Sequence, residues 1–209
     1  PYAMARTDNN ELLLGILMSV MDAGAIAGAI VIGVWGGTRP RIHTMMPAMI
    51  LMGVATAIYG MARDPLLMGA MLFMMMFMPP LANVALLSML QQKIAPDLQG
   101  RVFAVFGQIA MVMTPLSFLL VGPLADNVFE PAVQQAGWET FAPFVGDTTG
   151  AGMGLMILIA GVAVIVASIV TYAMPFIRHM EANLPDYVVT PAAEGEAVPV
   201  TPEPVAAMD

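Results

Sequence analysis

The sequence predicts an all-α membrane protein, a polytopic bundle of five transmembrane helices. Five uninterrupted apolar stretches of 18 to 25 residues lie between residues 12 and 177, and they contain a single carboxylate. With 59% hydrophobic and 11% charged residues, the chain could not cover a water-soluble surface. At about 1.5 Å per residue such stretches cross the roughly 30 Å hydrocarbon core, where backbone groups find partners only within a helix.

The elements follow in chain order. Residues 1–11 form an outer segment that begins without an initiator Met or a signal-peptide pattern, so we expect it to trail from a helix missing from the chain. The transmembrane bundle covers residues 12–177, with spans at 12–35, 45–62, 66–90, 102–125 and 153–177 and an outer loop at 126–152. Aromatic residues in that loop are typical of a short helix at the outer membrane interface. The alternative is a plain connecting loop.

The distribution of basic residues predicts the orientation. Turns after the first, third and fifth spans hold five of them, Arg39, Arg41, Lys93, Arg101 and Arg178, whereas the opposite side holds Arg6 and Arg63. The positive-inside rule therefore places the C-terminus in the cytoplasm of a cell-membrane protein. Residues 178–209 read as a disordered acidic tail, because they lack an apolar period and carry much of the net charge of −8.

Asp22 is the one carboxylate in the middle of a span, where an ionised side chain costs at least about 2.5 kcal/mol on insertion scales. It is a candidate for proton coupling or cation recognition. The alternative is a hydrogen-bonded carboxylate that packs between helices.

Small residues and prolines mark candidate contacts and hinges. Gly24 and Gly28 form a Gly-x-x-x-Gly pair, which predicts close approach of a second helix, either static or moving. Pro79 and Pro80 predict a bend in the third span, because proline removes a helical hydrogen bond. Asn83 then either lines a substrate path or lies on a merely bent packing helix.

The fourth span repeats this pattern. Pro115 and the pair Gly122 and Pro123 predict a bent helix, and Gln108 is a further candidate for a cavity residue. The chain contains 22 methionines, which serve either as lipid-facing filler or as adaptable ligand contacts. His43 and His179 read as solvated residues at span ends, no metal-ligand spacing joins them, and no cofactor is predicted.

Several turns resemble those of one transporter family. Residues 35–41 (WGGTRPR) resemble the turn between helices eight and nine of major facilitator superfamily (MFS) transporters. Residues 91–103 (QQKIAPDLQGRVF), 122–126 (GPLAD) and 178–186 (RHMEANLPD) resemble its macrolide-efflux and enterobactin-exporter-type branch. The resemblance implies that the five spans are helices eight to twelve, the C-terminal part of an MFS fold. It also implies that Arg39 and Arg41 lie at an inner gate, although an Asp that usually precedes them is absent. Arg101 either belongs to the same inner network or is a simple positive-inside anchor.

The resemblance implies secondary active transport by alternating access, with proton-coupled efflux (an antiporter of the multidrug-resistance type) of a lipophilic or amphipathic molecule such as a drug or macrolide. Its expected partners are the lipid bilayer, the N-terminal half of the same transporter, the small-molecule substrate and protons, with no nucleic acid. The chain alone is expected to be an inactive fragment. An enzyme is not predicted, because no nucleophile, metal or phosphate motif is present. The alternative is a non-transporting membrane assembly or interaction subunit.

Overall fold

The computed structural model describes residues 2–7, 10–135, 137–148 and 150–178. The elements in chain order are α1 (Tyr2–Arg6), α2 (Glu11–Trp35), α3 (Ile42–Met61), α4 (Pro65–Lys93), α5 (Pro96–Leu124), a π-helical turn (Ala125–Phe129), α6 (Glu130–Ala132), a 3-10 turn (Trp138–Thr140), α7 (Ala142–Val145), α8 (Ala151–Ala173) and α9 (Pro175–Arg178). Within these ranges the chain forms helices and no strand. Most of the predicted acidic tail, residues 179–209, lies outside the described residues.

Five of these helices, α2, α3, α4, α5 and α8, are long and apolar enough to cross a membrane. The predicted fold class and number of spans are therefore confirmed. Local chemistry sets the helix ends: the Asn10 side chain accepts a hydrogen bond from the Leu13 N–H, and Asp64 does the same for Leu67. The predicted fifth span extended to residue 177, whereas α8 ends at Ala173. Met174 is extended at φ −70° and ψ 116°, the conformation that a following proline favours.

The long helices pack in the spatial order α2, α4, α3, α8. Glycines allow the closest approaches. On α3, Gly53 and Gly60 face Gly161 and Gly154 of α8, and a Cβ added at Gly154 would lie 2.6 Å from the Gly60 carbonyl oxygen. Because lipid is as apolar as the side chains, such close van der Waals contact is the main attraction between membrane helices.

The helix α5 differs from the other four, since none of its residues is buried. It joins α4 through a short turn in which the Gln99 amide donates to the carbonyls of Gln91 (3.0 Å) and Ile94 (2.9 Å). At its other end the π-helical turn approaches the start of α8, where Glu130 Oε1 accepts a hydrogen bond from the Met153 N–H at 3.0 Å. The helix is thus held mainly at its two ends.

The connection between α5 and α8 is folded. Trp138 is buried and donates from Nε1 to the Gly146 carbonyl at 2.9 Å, and Val145 and Ala151 are fully buried beside it. Phe141 and Phe144 remain exposed. The segment is therefore a set of short turns packed on α8.

Two arginines bind this connection, and we call Arg6 and Arg63 the arginine clasp. Arg6 donates to the Val145 carbonyl and, at 3.2 Å, to the Thr148 hydroxyl. Arg63 donates to the carbonyls of Ala142 at 3.1 Å and Pro143 at 3.2 Å. The backbone carbonyls of the short helix α7 thus accept hydrogen bonds from two guanidinium groups. The clasp thereby joins α1 and the α3–α4 turn to the connection after α5.

Candidate functional site

A groove of about 400 Å³ lies between α3 and α4. Nine residues line it: Met45, Ala48, Met49, Met52, Met78, Pro79, Ala82, Asn83 and Leu86. We call this surface the methionine groove. Its size falls within the range of about 300–1,000 Å³ that is usual for small-molecule sites.

Helical periodicity assembles the groove. Met45, Met49 and Met52 are spaced by four and three residues, so their side chains lie on one face of α3. On α4 the lining residues recur at the same interval, from Met78 to Leu86. The lining therefore extends for about two turns along each of the two helices.

The chemistry of the methionine groove is apolar with one exception. Its four thioethers are flexible and polarisable, and they can repack around ligands of different shape. The Asn83 amide, on an exposed part of α4, is the single polar side chain of the lining and offers two donors and an acceptor. No charged residue lines the groove. The arrangement can hold a lipophilic molecule and hydrogen-bond one polar group on it.

The predicted hinge prolines lie beside Asn83. The helix α4 continues through Pro79 and Pro80. Since proline has no N–H, the carbonyls four residues earlier, on Met75 and Met76, lose their usual helical donor. Pro79 itself lines the groove next to Met78.

Asp22 does not reach this groove. It is exposed on α2, on a part of the helix surface that does not contact α4. The glycine pair packs elsewhere on α2: a Cβ at Gly24 or Gly28 would collide with the backbone of Phe73 or Phe77, respectively.

The same two contacts fix the relative depth of the two predicted pathway residues. Because Gly24 is level with Phe73 and Gly28 with Phe77, α2 and α4 run parallel, and Asp22 is level with about residue 71 of α4. Asn83 is then about 12 residues further along, roughly 18 Å at 1.5 Å per residue. The structure therefore does not bring Asp22 and Asn83 together.

The remaining predicted residues of the fourth span lie on α5. Gln108 is exposed, and α5 continues as a helix through Pro115 and Pro123. A Cβ at Gly122 would meet no atom within 4 Å. The π-helical turn begins directly after Leu124, so the change of helix type follows Pro123.

The predicted gate arginines lie at one end of the bundle. We call it the basic end, because it carries Arg39, Arg41, Lys93, Arg101 and Arg178. Arg41 is half-buried at the start of α3, whereas Arg39 and Arg101 are exposed. In the turn between α2 and α3, the Thr38 N–H donates to the Thr44 hydroxyl at 2.7 Å, which orders the segment that contains both arginines.

Sequence reasoning missed several contacts. His43, expected to be solvated, forms a 3.0 Å hydrogen bond through Nδ1 with the Tyr172 hydroxyl, and the two rings meet edge to face. The contact joins α3 to α8 at the basic end, a pairing that no local pattern reveals. Among the described residues, no group of His, Cys, Asp or Glu side chains could hold a metal ion.

Comparison with known proteins gives two kinds of relative. The multidrug efflux pump Tap of Mycolicibacterium fortuitum is 34% identical over 123 residues, which is 57% of this chain and 30% of that protein. Macrolide efflux protein A of Streptococcus pyogenes is 25% identical over 111 residues, 51% of this chain and 27% of that protein. The match spans less than a third of either relative. No family profile and no solved structure matches the chain significantly.

These relatives are efflux proteins, as the resemblance of the turns implied. They also agree with the five helices long enough to cross a membrane. The resemblance is thus confirmed: this chain is a multi-pass membrane protein whose homologues are efflux transporters of the major facilitator type.

Proposed function

We propose that this chain is part of a secondary active transporter that exports a lipophilic or amphipathic small molecule, and that the methionine groove binds it. The observation that carries the proposal is a groove lined by four thioethers and one amide, in a chain with efflux-pump homologues. Apolar ligands gain roughly 25 cal/mol for each Å² that they remove from water. The Asn83 amide orients the ligand through one hydrogen bond.

The groove lies in the half of the bundle nearer the basic end. Met45 is in the first turn of α3, and Leu86 is within two turns of the end of α4. The positive-inside rule makes the basic end cytoplasmic, with the C-terminus inside the cell. A ligand would enter from the cytoplasm or the inner leaflet, as export requires.

Transport would proceed by alternating access, with Arg39, Arg41 and Arg101 at the inner gate. Helices contributed by the N-terminal half of the same transporter would complete the cavity. Asp22 would bind and release the coupling proton. Because it lies roughly 18 Å along the helix axis from Asn83, coupling would act through helix movement and not through contact with the substrate.

Transport measurements test this proposal. The genomic DNA upstream of the codon for Pro1 gives the reading frame that carries the chain. The product of that frame is reconstituted in liposomes with a proton gradient directed inward, opposite to the export of the dye. Met49→Trp fills the groove and should reduce export of a lipophilic dye at least about tenfold. Met113→Trp, on the exposed surface of α5, is the matched control and should retain export. Equal export by the two variants would reject the groove.

Proton coupling has its own test. Asp22→Asn keeps the size of the side chain and removes its charge, so export by this variant should no longer respond to the pH gradient. An unchanged response to the gradient would exclude Asp22 as the coupling group. The chain expressed alone should show no transport in the same assay.

A non-transporting assembly subunit is the second candidate function. It is favoured by α5, none of whose residues is buried, since such a helix has most of its surface available for a partner. A stop codon and a new start directly before the codon for Pro1 would support this alternative. A frame that continues through about seven further apolar spans would support the transporter.

A further inference from the structure

We infer that the methionine groove selects uncharged ligands, so that weak bases are bound in their neutral form and permanent cations are rejected. This inference rests on the proposed function, because it specifies the substrate class of the same groove. It concerns the charge of the ligand, which the efflux-pump homologues do not define.

The lining provides no counter-charge. Eight of its nine residues are apolar, and the ninth is an uncharged amide. A cation that leaves water for such surroundings loses its hydration and gains no ion pair, and an isolated buried charge is far costlier than a buried neutral polar group. The Asn83 carbonyl oxygen can accept one hydrogen bond, which replaces part of the hydration of an amine but none of that of a quaternary ammonium ion.

Asp22, the one acid within the five spans, lies too far away to compensate. Along the helix axis Asp22 lies roughly 10 Å from the level of Met78 and roughly 18 Å from that of Asn83. Coulomb attraction falls inversely with distance, so at these separations it is about two fifths and about a fifth, respectively, of that in an ion pair at 4 Å. Asp22 also faces away from α4, on the exposed part of α2. A carboxylate at that position cannot contact a ligand in the groove.

Positive charge at the mouth of the groove acts in the same direction. Arg41 is half-buried and begins α3 four residues before Met45, one helical turn from the lining. A positive charge near this end of the lining does not attract a ligand cation. Both the lining and its surroundings therefore favour a neutral ligand.

A consequence for weak bases follows. If only the neutral form binds, then below the pKa of the ligand the apparent affinity for an amine increases about tenfold for each unit by which the pH rises, because the neutral fraction increases by that factor. Above that pKa the affinity is constant.

The chain contains no cysteine, so a single introduced thiol can report occupancy of the groove itself. Met45→Cys in the purified full chain in nanodiscs is labelled with a maleimide in the presence of diphenylhexatriene or its trimethylammonium derivative. The neutral probe should protect the thiol at a concentration at least about tenfold lower than the cationic probe. Met113→Cys, on α5, should be protected by neither.

Two further variants in the Met45→Cys background test whether the uncharged lining of the groove causes the preference for the neutral probe. Asn83→Asp puts a carboxylate in the lining and should make the cationic probe at least as protective as the neutral one. Gln92→Glu adds the same charge on an exposed part of α4 outside the groove and should leave the preference for the neutral probe unchanged. If Asn83→Asp does not fold, the pH dependence of protection by a weak-base amine gives the same decision.

The outcomes separate this inference from the proposed function. Equal protection of Met45→Cys by both probes, or an amine affinity that is constant below its pKa, would overturn the selection for neutral ligands and leave the groove as a binding site. Protection by neither probe would overturn the groove and the inference together.

Discussion

The helix α5 packs differently from the other four long helices, α2, α3, α4 and α8. The helices α2 and α4, and likewise α3 and α8, approach each other at glycines, so closely that an added Cβ at Gly24, Gly28 or Gly161 would collide with the facing backbone. In α5 the glycines Gly100, Gly107 and Gly122 meet no atom within 4 Å. A glycine in a membrane helix therefore does not by itself indicate a helix contact, because it marks one only where a second backbone packs against it.

Substitution of a glycine in the packed helices should give the largest effect. Gly161→Leu would push its side chain into the backbone of Ala57, and overpacking of this kind costs about 1–3 kcal/mol or more. The free energy of unfolding of the purified chain, from denaturant titration in mixed micelles, should fall accordingly. Gly107→Leu on α5 is the matched control and should leave it unchanged. A similar loss in both variants would show that α5 is packed as closely as the others.

This contrast also separates what the sequence predicts from what it does not. The five spans were predictable because lipid imposes one solution, a helix, on any long apolar stretch. Gly24 and Gly28 were noted because their four-residue spacing is a known contact pattern. Gly154 and Gly161 are seven residues apart, on one face of α8 but outside that pattern, and the sequence alone did not identify them.

The candidate site was predictable only in part. Pro79 and Asn83 were recognised as unusual for an apolar helix, but the three methionines of α3 that complete the groove resemble lipid-facing filler until α4 is placed beside them. Asp22 was a candidate for proton coupling or cation recognition, and Asn83 was a candidate for a substrate path. Their separation of roughly 18 Å depends on how α2 and α4 align, which is a tertiary property that composition and periodicity do not contain.

The next test concerns Tyr2, which anchors α1 to α3 by hydrogen bonds and not by glycine contacts. Its buried hydroxyl donates toward the carbonyls of Tyr59 (3.1 Å), Gly60 (3.0 Å) and Ala62 (3.3 Å). Tyr2→Phe keeps the ring and removes the donor, so the free energy of unfolding should fall by about 1–2 kcal/mol. The same titration as for the glycine variants measures it.

The pH dependence of stability provides the control for Tyr2. Burial raises the pKa of Tyr2 above its ordinary value of 10.0, opposed by the positive charge of Arg6. Because the folded-state pKa is the higher one, the contribution of the neutral phenol is fully present below pH 10 and is lost as the pH rises through the folded-state pKa. In Tyr2→Phe this part of the decrease in the free energy of unfolding at alkaline pH should be absent. An identical pH profile in the two proteins would contradict the assignment.

A smaller effect is expected at the arginine clasp, which holds the connection after α5 to the rest of the bundle. Arg63→Gln removes two exposed hydrogen bonds to the first two residues of α7 and should cost about 1 kcal/mol or less, because water partly replaces them. The change should be local, so hydrogen exchange of the amides in residues 138–148 should increase while that of α3 and α8 does not. Arg101→Gln, at the opposite end, is the control; equal exchange in both variants would mean that the clasp does not hold the connection.

The smallest expected effect tests whether a polar contact strengthens a junction that glycines already hold. Tyr172→Phe removes the hydroxyl that bonds to His43 but retains the edge-to-face ring contact at 5.9 Å. Hydrogen bonds between membrane helices average about 0.6 kcal/mol, so the unfolding free energy should fall by about that amount. His43→Phe and the double variant complete a cycle that isolates the pair. A coupling energy near zero would mean that the contact between α3 and α8 depends on Gly53, Gly60, Gly154 and Gly161 alone, and that the hydrogen bond only selects the rotamer of Tyr172.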